Sequence, residues 1–241
     1  MTVPFGSGLA TWTTIWTEPE APAFSAPRFQ VTTRSGETYE ASYLIGSDGA
    51  NSIVARLAGL HKLHRFPAAS EVEAKVPPDV LQRFRDQALF VFGEAGFGYL
   101  WIFPKSEHLS IGIGSLHPKA GRLQEDLKRG MSRYGISLDG QKIHGHPLPI
   151  YLGPRKISTR RVLLVGDAAG LMDPLTGEGI RFAVVSGKLA ADAILTRKPG
   201  SYSSRVFWKI GFSHLFALPL AVLFYILPDL SIYLCAFNPY A

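Results

Sequence analysis

The chain has 241 residues, of which 46% are hydrophobic and 18% are charged, and its formal net charge is +6. This length allows one large globular domain or two small ones. A single cysteine, Cys235, excludes an internal disulfide framework and a cysteine-based zinc site, so any chemistry would come from a cofactor. The basic residues are scattered rather than interleaved with aromatics, which favours a mild attraction to anionic lipid over nucleic-acid binding. No Lys or Arg precedes an apolar run at the N-terminus, so we expect no signal peptide.

The N-terminal part predicts a hairpin. Residues 16–27 are proline-rich, which is typical of a loop or linker. Residues 28–34 alternate apolar and polar side chains, and residues 38–45 do so again after a Ser-Gly turn. This pattern predicts two antiparallel strands.

A second turn, with Asp48 and Gly49 at its centre, follows the hairpin and leads into a helix predicted from about Ser52 to Leu57. Taken alone, this turn is equally compatible with an Asp side chain that caps a helix and with a ligand site.

Residues 62–117 change to a pattern of alternating strands, with apolar periods over 88–92, 97–103 and 108–115. Short turns between them predict an antiparallel sheet with one covered face. In the third strand the bulky residues point to one face, and Gly112 and Gly114 point to the other. A glycine-lined face leaves room for something flat or long to lie against the sheet.

Three aromatic side chains, Tyr99, Trp101 and Phe103, share one face of the middle strand. They would form a wall of aromatic surface. On the pattern alone, however, alternating aromatics more often form the core face of a sheet.

Residues 119–134 carry one apolar stripe and predict an ordinary surface helix. Residues 145–149 predict an irregular crossing towards a second segment of the first domain. His144 and His146 are weak candidates for acid–base groups, because loop histidines are mostly solvated. No His and Glu cluster has metal-ligand spacing.

The strongest pattern lies at residues 161–180. An apolar strand over 162–165 stops at Gly166-Asp167, and a glycine-rich loop with Asp173, Pro174, Gly177, Glu178 and Gly179 precedes a predicted helix. This helix is predicted from three- and four-residue spacing to have a small-residue face, formed by Ile180, Val184, Gly187, Ala191 and Ile194. The start of a helix offers free N–H groups and a partial positive charge, and Asp167 could accept hydrogen bonds from a hydroxyl-rich ligand.

The C-terminal region is apolar from residue 206 onwards, and residues 210–228 carry no formal charge. That length could cross a bilayer. Pro219, Pro228 and Asp229 instead favour two or three short helices that are broken at the prolines. We expect them to roof an apolar channel and touch the membrane interface rather than to span it.

The segment from Gly166 to Gly179 resembles the second FAD motif of the p-hydroxybenzoate-hydroxylase-like flavoproteins, and its wording is closest to the geranylgeranyl reductase branch. The resemblance implies that Asp167 holds the ribityl chain of FAD. It also implies that Gly166, Pro174, Gly177, Glu178 and Gly179 bring the helix start to the pyrimidine edge of the flavin. The alternative is a plain turn that needs glycines and a capping Asp.

Two further segments share this resemblance. Asp48 and Gly49, followed by Ser52 and Val54, are similar to the Asp-Gly motif that supports the FAD pyrophosphate, although Ala55 stands where the family commonly has Arg. The order Tyr99-x-Trp101-x-Phe103-Pro resembles the substrate-sheet motif that lines the isoprenoid cavity. Gly112 and Gly114 would then help to shape that slot.

The Gly-x-Gly-x-x-Gly turn with which the family begins is not found before Asp48; Gly6 and Gly8 lack a third glycine at the required spacing. The chain is therefore expected to be the C-terminal part of a longer flavoprotein. We also expect that the chain alone binds FAD weakly or not at all.

The expected fold is mixed α/β: a partial FAD-binding Rossmann-like domain, an inserted antiparallel substrate-binding sheet and an apolar helical C-terminus. The predicted segments are a partial FAD-binding domain (1–60), the substrate sheet (61–150), the second FAD-binding segment (151–200) and the apolar helices (201–241).

The resemblance implies an FAD-dependent oxidoreductase that reduces isoprenoid double bonds by hydride transfer from reduced flavin. Its electron donor would be NAD(P)H or a ferredoxin-like protein, and its location would be cytoplasmic with peripheral membrane contact. Two alternatives stay open: an FAD-dependent monooxygenase of the same superfamily, and an inactive lipid- or membrane-associated remnant.

Overall fold

The computed structural model describes residues 12–15, 29–33, 35–60, 67–116 and 122–237. The proline-rich stretch 16–27 and the glycines near the N-terminus lie outside the described residues. The strands are β1 Trp12–Ile15, β2 Phe29–Thr33, β3 Thr38–Ala41, β4 Leu44–Gly46, β5 Ala68–Ala74, β6 Leu89–Phe92, β7 Gly98–Pro104, β8 Leu109–Ser115, β9 His144–Pro147 and β10 Val162–Leu164. The helices are α1 Ile53–Leu57, α2 Pro78–Phe84, α3 Leu123–Arg133, α4 Gly166–Ala169, α5 Ile180–Leu195, α6 Tyr202–Val206, α7 Phe212–Ile226 and α8 Pro228–Phe237, with a π-helical turn Phe207–Gly211 before α7.

The predicted hairpin is present, and it belongs to a three-stranded sheet of order β1-β2-β3. The predicted second strand, 38–45, is divided in two. Its first part, β3, pairs antiparallel with β2, whereas β4 pairs in parallel with β10, with Leu44 opposite Val162. The strand divides because residues 42–44 bond to Arg161, next to β10, and no longer to β2. The Arg161 guanidinium donates to the Ser42 carbonyl, and the Leu44 amide donates to the Arg161 carbonyl.

The predicted antiparallel sheet has five strands in the order β6-β7-β8-β5-β9. The three predicted strands are confirmed as β6, β7 and β8, and the sequence reading missed β5 and the short helix α2. The predicted crossing at 145–149 is partly wrong, because β9 covers residues up to Pro147 and pairs with β5. A short edge strand of His, Gly and Pro carries little strand signal, so pairing with β5 determines its conformation.

One face of this sheet is buried under helix α3. Leu100, Ile111 and Ile113 from the sheet are fully buried, and they share one core with Leu127 and Met131 of α3. The apolar stripe predicted for this helix is therefore its packing face. The opposite face of the sheet carries Tyr99, Trp101 and Phe103.

A second core surrounds the parallel pair β4 and β10 and the helix α5. Helix α5 begins at Ile180 as predicted, but its buried residues are Phe182, Ser186, Ala190 and Ala193. The predicted face was wrong: Ile180 is 83% exposed and Val184 is 69% exposed. Both faces are apolar enough to be buried, and the smaller side chains allow the helix to come close to Gly166, where an added Cβ would lie 2.9 Å from the Ala183 Cβ.

The C-terminal region is helical and apolar, as predicted, but Pro219 does not break it. Helix α7 runs through Pro219, which lies on an exposed face, and ends before Pro228. Among the described residues, one helical run, Pro199–Ile226, is long and apolar enough to cross a membrane by length and composition alone. Only 28% of its most apolar window is buried, so most of this surface is not covered by the rest of the described chain.

Candidate functional site

Two Asp side chains follow the carboxyl ends of neighbouring parallel strands. Asp48 comes two residues after β4, and Asp167 comes three residues after β10. Gly46 at the end of β4 allows this close packing, since a Cβ there would lie 2.7 Å from a Leu164 methyl group. This edge of an α/β sheet is where ligands commonly bind.

The carboxylate of Asp48 is fully engaged within its own turn. It accepts hydrogen bonds from the Ser52 hydroxyl at 2.5 Å and from the amides of Ile53 and Val54 at 2.6 and 3.1 Å. Asp48 therefore caps α1, and a direct contact with FAD stays a prediction. Gly49 has a φ of +77°, and an added Cβ would meet no atom within 4 Å, so its backbone borders open space.

Asp167 is in a different state. It lies in the first turn of the short helix α4, is partly buried, and its carboxylate makes no hydrogen bond to any other described residue. Burial raises the pKa of this carboxyl group above its usual value. A partly buried carboxylate without a protein donor is suited to accept hydrogen bonds from ligand hydroxyls.

Gly166, which precedes Asp167, is held by contacts within the protein. Its amide donates to the Ser186 hydroxyl at 3.0 Å, and its φ of +52° favours glycine. These contacts fix the turn against α5, so that amide is already used within the protein.

The start of α5 lies beside Asp167. A Cβ built on Gly179 would sit 3.4 Å from Asp167 Oδ1, which places the two residues in van der Waals contact range. Within the described residues, the amides of Gly179 and Ile180 make no hydrogen bond. A helix of 16 residues thus presents unpaired N–H groups and its positive end next to the carboxylate.

The loop before α5 is organised by Asp173. Its Oδ1 atom accepts from the amides of Leu175 and Thr176 at 2.9 and 2.8 Å and from the Thr176 hydroxyl at 3.0 Å. Its carbonyl accepts from the amide of Gly177, whose φ is +73°. Pro174 is buried within this turn. We call residues 173–179 the flavin-edge loop, after its expected role.

Glu178 faces the helix rather than open space. Its carboxylate accepts from the Arg181 amide at 2.6 Å and pairs with the Arg181 side chain at 3.3 Å. Glu178 therefore satisfies one N–H group in the first turn of α5. Direct cofactor binding by its carboxylate stays a prediction.

The antiparallel sheet meets the flavin-edge loop through Tyr99. The Tyr99 hydroxyl donates to the Thr176 carbonyl at 3.2 Å, and an added Cβ on Gly177 would lie 3.9 Å from the same hydroxyl. Burial raises the pKa of Tyr99. The predicted substrate-facing and cofactor-facing residues are therefore adjacent in the fold.

Gly112 and Gly114 of β8 make room for the side chain of Trp101. A Cβ on Gly112 would lie 2.0 Å from the Trp101 ring, and one on Gly114 would lie 3.8 Å from it. The indole of Trp101 therefore fills the space that the sequence predicted to be free for a ligand. Trp101 stacks in turn on Phe103, with 6.3 Å between ring centres.

Four other aromatic residues lie near this face, and the sequence did not predict their contacts with it. Phe90 and Phe92 of β6 contact Tyr99, with ring centres 5.6 and 5.8 Å apart. From α7, Phe224 packs edge-on against Phe92 at 5.1 Å, and Tyr225 lies 6.5 Å from Phe97. The sequence shows that α7 is rich in aromatic residues, but it does not show which residues of the sheet they contact. Helix α7 thus reaches over the aromatic face of the sheet.

The histidines considered for acid–base chemistry do not join this site. His144 and His146 are exposed on the edge strand β9. No group of three or more potential metal ligands occurs among the described residues.

Comparison with known proteins gives consistent relatives, although no family model matches the chain. The chain is 34% identical over 167 residues to the chloroplastic geranylgeranyl diphosphate reductase of Oryza sativa, an alignment covering 66% of this chain and 35% of that protein. It is 34% identical over 174 residues to digeranylgeranylglycerophospholipid reductase 2 of Methanosphaera stadtmanae, covering 68% and 43%. The chain thus spans less than half the length of these curated relatives.

Solved structures show the same fold. A geranylgeranyl bacteriochlorophyll reductase-like protein from Thermoplasma acidophilum matches with a TM-score of 0.63 and 24% identity, over 87% of this chain and 57% of that one. A probable FAD-dependent monooxygenase from Pseudomonas aeruginosa matches with a TM-score of 0.55 and 19% identity, over 81% and 60%. The curated relatives show that the chain belongs, over the part it spans, to the geranylgeranyl reductase family of oxidoreductases, and the solved structures share its fold.

Proposed function

We propose that this chain forms the flavin-edge and substrate-facing part of an FAD-dependent oxidoreductase that reduces double bonds of isoprenoid lipids. One observation carries the proposal: the carboxylate of Asp167 has no hydrogen-bond partner among the described residues and lies beside the open start of α5. The names of the curated relatives support an isoprenoid substrate.

The residues present fit the flavin end of FAD. Asp167 would accept hydrogen bonds from hydroxyls of the ribityl chain, since no protein donor competes for it. The amides of Gly179 and Ile180 would face the ring edge and favour negative charge there. Gly177, where an added Cβ would meet nothing closer than the Tyr99 hydroxyl at 3.9 Å, would allow the close approach of a flat ring. When bound, FAD would supply the hydride chemistry that the protein's own side chains lack.

The aromatic face of the sheet would hold the isoprenoid. Tyr99, Trp101 and Phe103 line it, and Phe224 of α7 closes over one end. Such a slot excludes water and orients an apolar chain by contact area rather than by hydrogen bonds. Tyr99, which touches the flavin-edge loop, would set the distance between the substrate and the cofactor.

The test is Asp167→Asn in the gene product that carries this chain. We expect the purified variant to lose bound flavin. The wild type should be yellow and should convert a geranylgeranyl lipid, with dithionite as reductant, to products heavier by two mass units per reduced bond. A variant as yellow as the wild type would contradict the assignment of Asp167.

The monooxygenase alternative makes a different prediction. It requires oxygen consumption coupled to hydroxylation of a substrate, in place of an oxygen-independent gain of two hydrogens. The apolar aromatic face favours the reductase. Stimulation of the reduction by NAD(P)H or by reduced ferredoxin would identify the electron donor. An inactive remnant would show neither reaction.

We also propose a cytoplasmic protein in peripheral contact with a membrane through α7 and α8. Their exposed apolar side chains include Phe216, Leu223 and Ile226, at 52–64% exposure. Between Asp192 and Asp229 the sequence has four cations and no Asp or Glu, with Trp208 67% exposed beside Lys209. Cations and an interfacial Trp next to an apolar helix favour an anionic bilayer surface.

Flotation with vesicles tests this contact. We expect the chain to bind vesicles that contain phosphatidylglycerol more strongly than neutral vesicles, and Phe216→Ser to weaken binding to both. Release by alkaline carbonate would separate peripheral contact from a span. Absence of binding to either vesicle would contradict the proposal.

A further inference from the structure

His214 is a buried titratable residue that the proposed chemistry does not use. It lies on α7, about three turns before Phe224 and Tyr225, which reach the sheet, and only 1% of it is exposed. Its ring sits edge-on against Phe182 of α5 at 4.4 Å and Tyr151 at 5.6 Å between ring centres. Gly211, one turn earlier, permits this packing because a Cβ there would lie 2.4 Å from the Tyr151 hydroxyl.

Both ring nitrogens of His214 face oxygen acceptors. Nε2 lies 3.1 Å from the Leu171 carbonyl oxygen, and Nδ1 lies 3.6 Å from Asp173 Oδ2 without forming a hydrogen bond. A neutral imidazole has one N–H, so with Nε2 donating to Leu171 the lone pair of Nδ1 faces a carboxylate. Only the doubly protonated ring can donate to both oxygens.

The acceptor that faces Nδ1 belongs to Asp173, the residue that organises the flavin-edge loop. While Asp173 Oδ1 holds the amides of Leu175 and Thr176, Oδ2 faces His214. A movement of His214 therefore reaches the loop through a single carboxylate. This contact joins α7, which covers the aromatic face, to the start of α5.

We propose that His214 is a positioning residue for the flavin-edge loop, and that a proton on Nδ1 locks Asp173 and ties the loop to α7. The assignment of this loop to the flavin rests on the proposed function; the link between His214 and the loop does not. A second proton replaces an unfavourable contact of lone pair and carboxylate by a charge-assisted hydrogen bond.

The surroundings decide when that proton binds. Burial lowers the pKa of His214, and Arg181 lowers it further, whereas the hydrogen bond to Leu171 and the charges of Asp173 and Glu178 raise it. Tyr151 is the other titratable group against the ring. The net effect is a pKa below the usual histidine value, so the ring is neutral at pH 7. Acidification adds the second proton at a cost to overall stability, and within the folded chain the lock closes as the pH falls.

Nuclear magnetic resonance of the chain without cofactor tests the link. We expect the nitrogen shifts of His214 to report an Nε2–H tautomer at pH 8 and protonation of Nδ1 on acidification. Over the same range, amide exchange at Leu175, Thr176 and Gly177, corrected for intrinsic rates, should slow by about threefold or more. A wild-type loop whose corrected exchange does not change as Nδ1 is protonated, or an Nδ1–H tautomer at pH 8, would overturn the proposal.

Variants separate positioning from packing. His214→Phe keeps an aromatic ring against Phe182 and should abolish the pH response. His214→Gln keeps a donor at every pH, so at pH 8 it should already show part of the protection that the wild type gains only on acidification. If His214→Phe does not fold, Asp173→Asn provides the second test, since it keeps an Oδ1 acceptor but removes the charge that faces His214. His108→Phe, at the distant Glu73 pair, is the control and should leave the response intact.

The effect of His214 on bound flavin is measured in a separate experiment, on the gene product that carries this chain. There, His214→Phe should shift the reduction potential of bound flavin and change its pH dependence. An altered loop in a protein that binds no flavin would leave the positioning role standing and refute the proposed function. An unaltered loop in a protein that contains flavin would refute the positioning role and leave the proposed function standing.

Discussion

The Tyr99 hydroxyl donates a hydrogen bond to the Thr176 carbonyl at 3.2 Å, across 77 positions of sequence. This contact joins strand β7 of the antiparallel sheet to the flavin-edge loop. Because the aromatic face begins at Tyr99 and the start of α5 follows Thr176, the bond sets the separation between the two halves of the candidate site.

Tyr99→Phe should loosen this junction while leaving the ring stacking intact. We expect a loss of about 0.5–1.5 kcal/mol in the free energy of unfolding, the usual net value of one hydrogen bond. In the gene product that carries this chain, flavin should stay bound while the KM for the isoprenoid rises severalfold. Urea unfolding and steady-state kinetics would measure the two effects, with Tyr134→Phe as a matched control. An unchanged KM would contradict the positioning role of the hydroxyl.

Asp167→Asn should change the pH dependence of stability as well as flavin binding. A carboxyl group whose pKa is raised by folding contributes stability that is present below its unfolded pKa, about 3.9, and lost as the pH rises through its folded pKa. The wild type should therefore unfold at lower urea than the variant at pH 7, while the difference vanishes towards pH 3.

The difference at pH 7 should stay below about 1 kcal/mol, because water still screens this partly exposed carboxylate. Urea midpoints at several pH values give the measurement. A difference that is independent of pH would show that burial of the charge is not its cause.

Gly112→Ala should disturb the aromatic face without touching the flavin-edge loop. The new methyl group would collide with the Trp101 ring, which has to rotate away. Overpacking of this kind costs about 1–3 kcal/mol. Tryptophan emission should shift as the indole becomes more exposed.

Gly145→Ala on β9 is the matched control, because a Cβ there meets nothing within 4 Å. Its stability should change by less than about 0.5 kcal/mol. Equal effects of the two substitutions would mean that the Trp101 ring does not occupy the notch over Gly112.

The 241-residue chain by itself should bind FAD with a Kd weaker than about 1 μM, which corresponds to about 8 kcal/mol of binding free energy. Under the proposed function the described residues would contact only the flavin end, and the sequence before Asp48 provides no Gly-x-Gly-x-x-Gly turn for the adenosine end. Quenching of flavin fluorescence on titration gives the measurement. Submicromolar binding would contradict this prediction.

The sequence pattern was sufficient to predict the helices and strands in which hydrophobic residues recur at a clear period. Strands β6, β7 and β8, the packing stripe of α3 and the start of α5 at Ile180 follow from alternation, helical spacing and glycine punctuation. These signals depend on neighbours in sequence. The position of Asp167 between a buried strand and that helix start could be derived in the same way.

Contacts between distant segments decided the rest. The sequence left open whether Asp48 binds a ligand or caps a helix. Its carboxylate accepts from the Ser52 hydroxyl and from the first two amides of α1, which shows the cap. Helix α5 has two apolar faces, and only the packing of its small residues against Gly166 selects the buried one. Likewise, the glycines of β8 predict empty space, but the fold places the Trp101 ring there.

By itself, then, the sequence determined the motifs that carry the family resemblance, the strands β6, β7 and β8 and the carboxylate before a glycine-rich helix start, because each depends on neighbouring residues. Only the tertiary structure decided which of these groups remain unpaired and which meet across the fold. The free carboxylate of Asp167, the bond from Tyr99 to Thr176 and the approach of His214 to Asp173 depend on how separate segments pack, and the chain order contains no local signal for them.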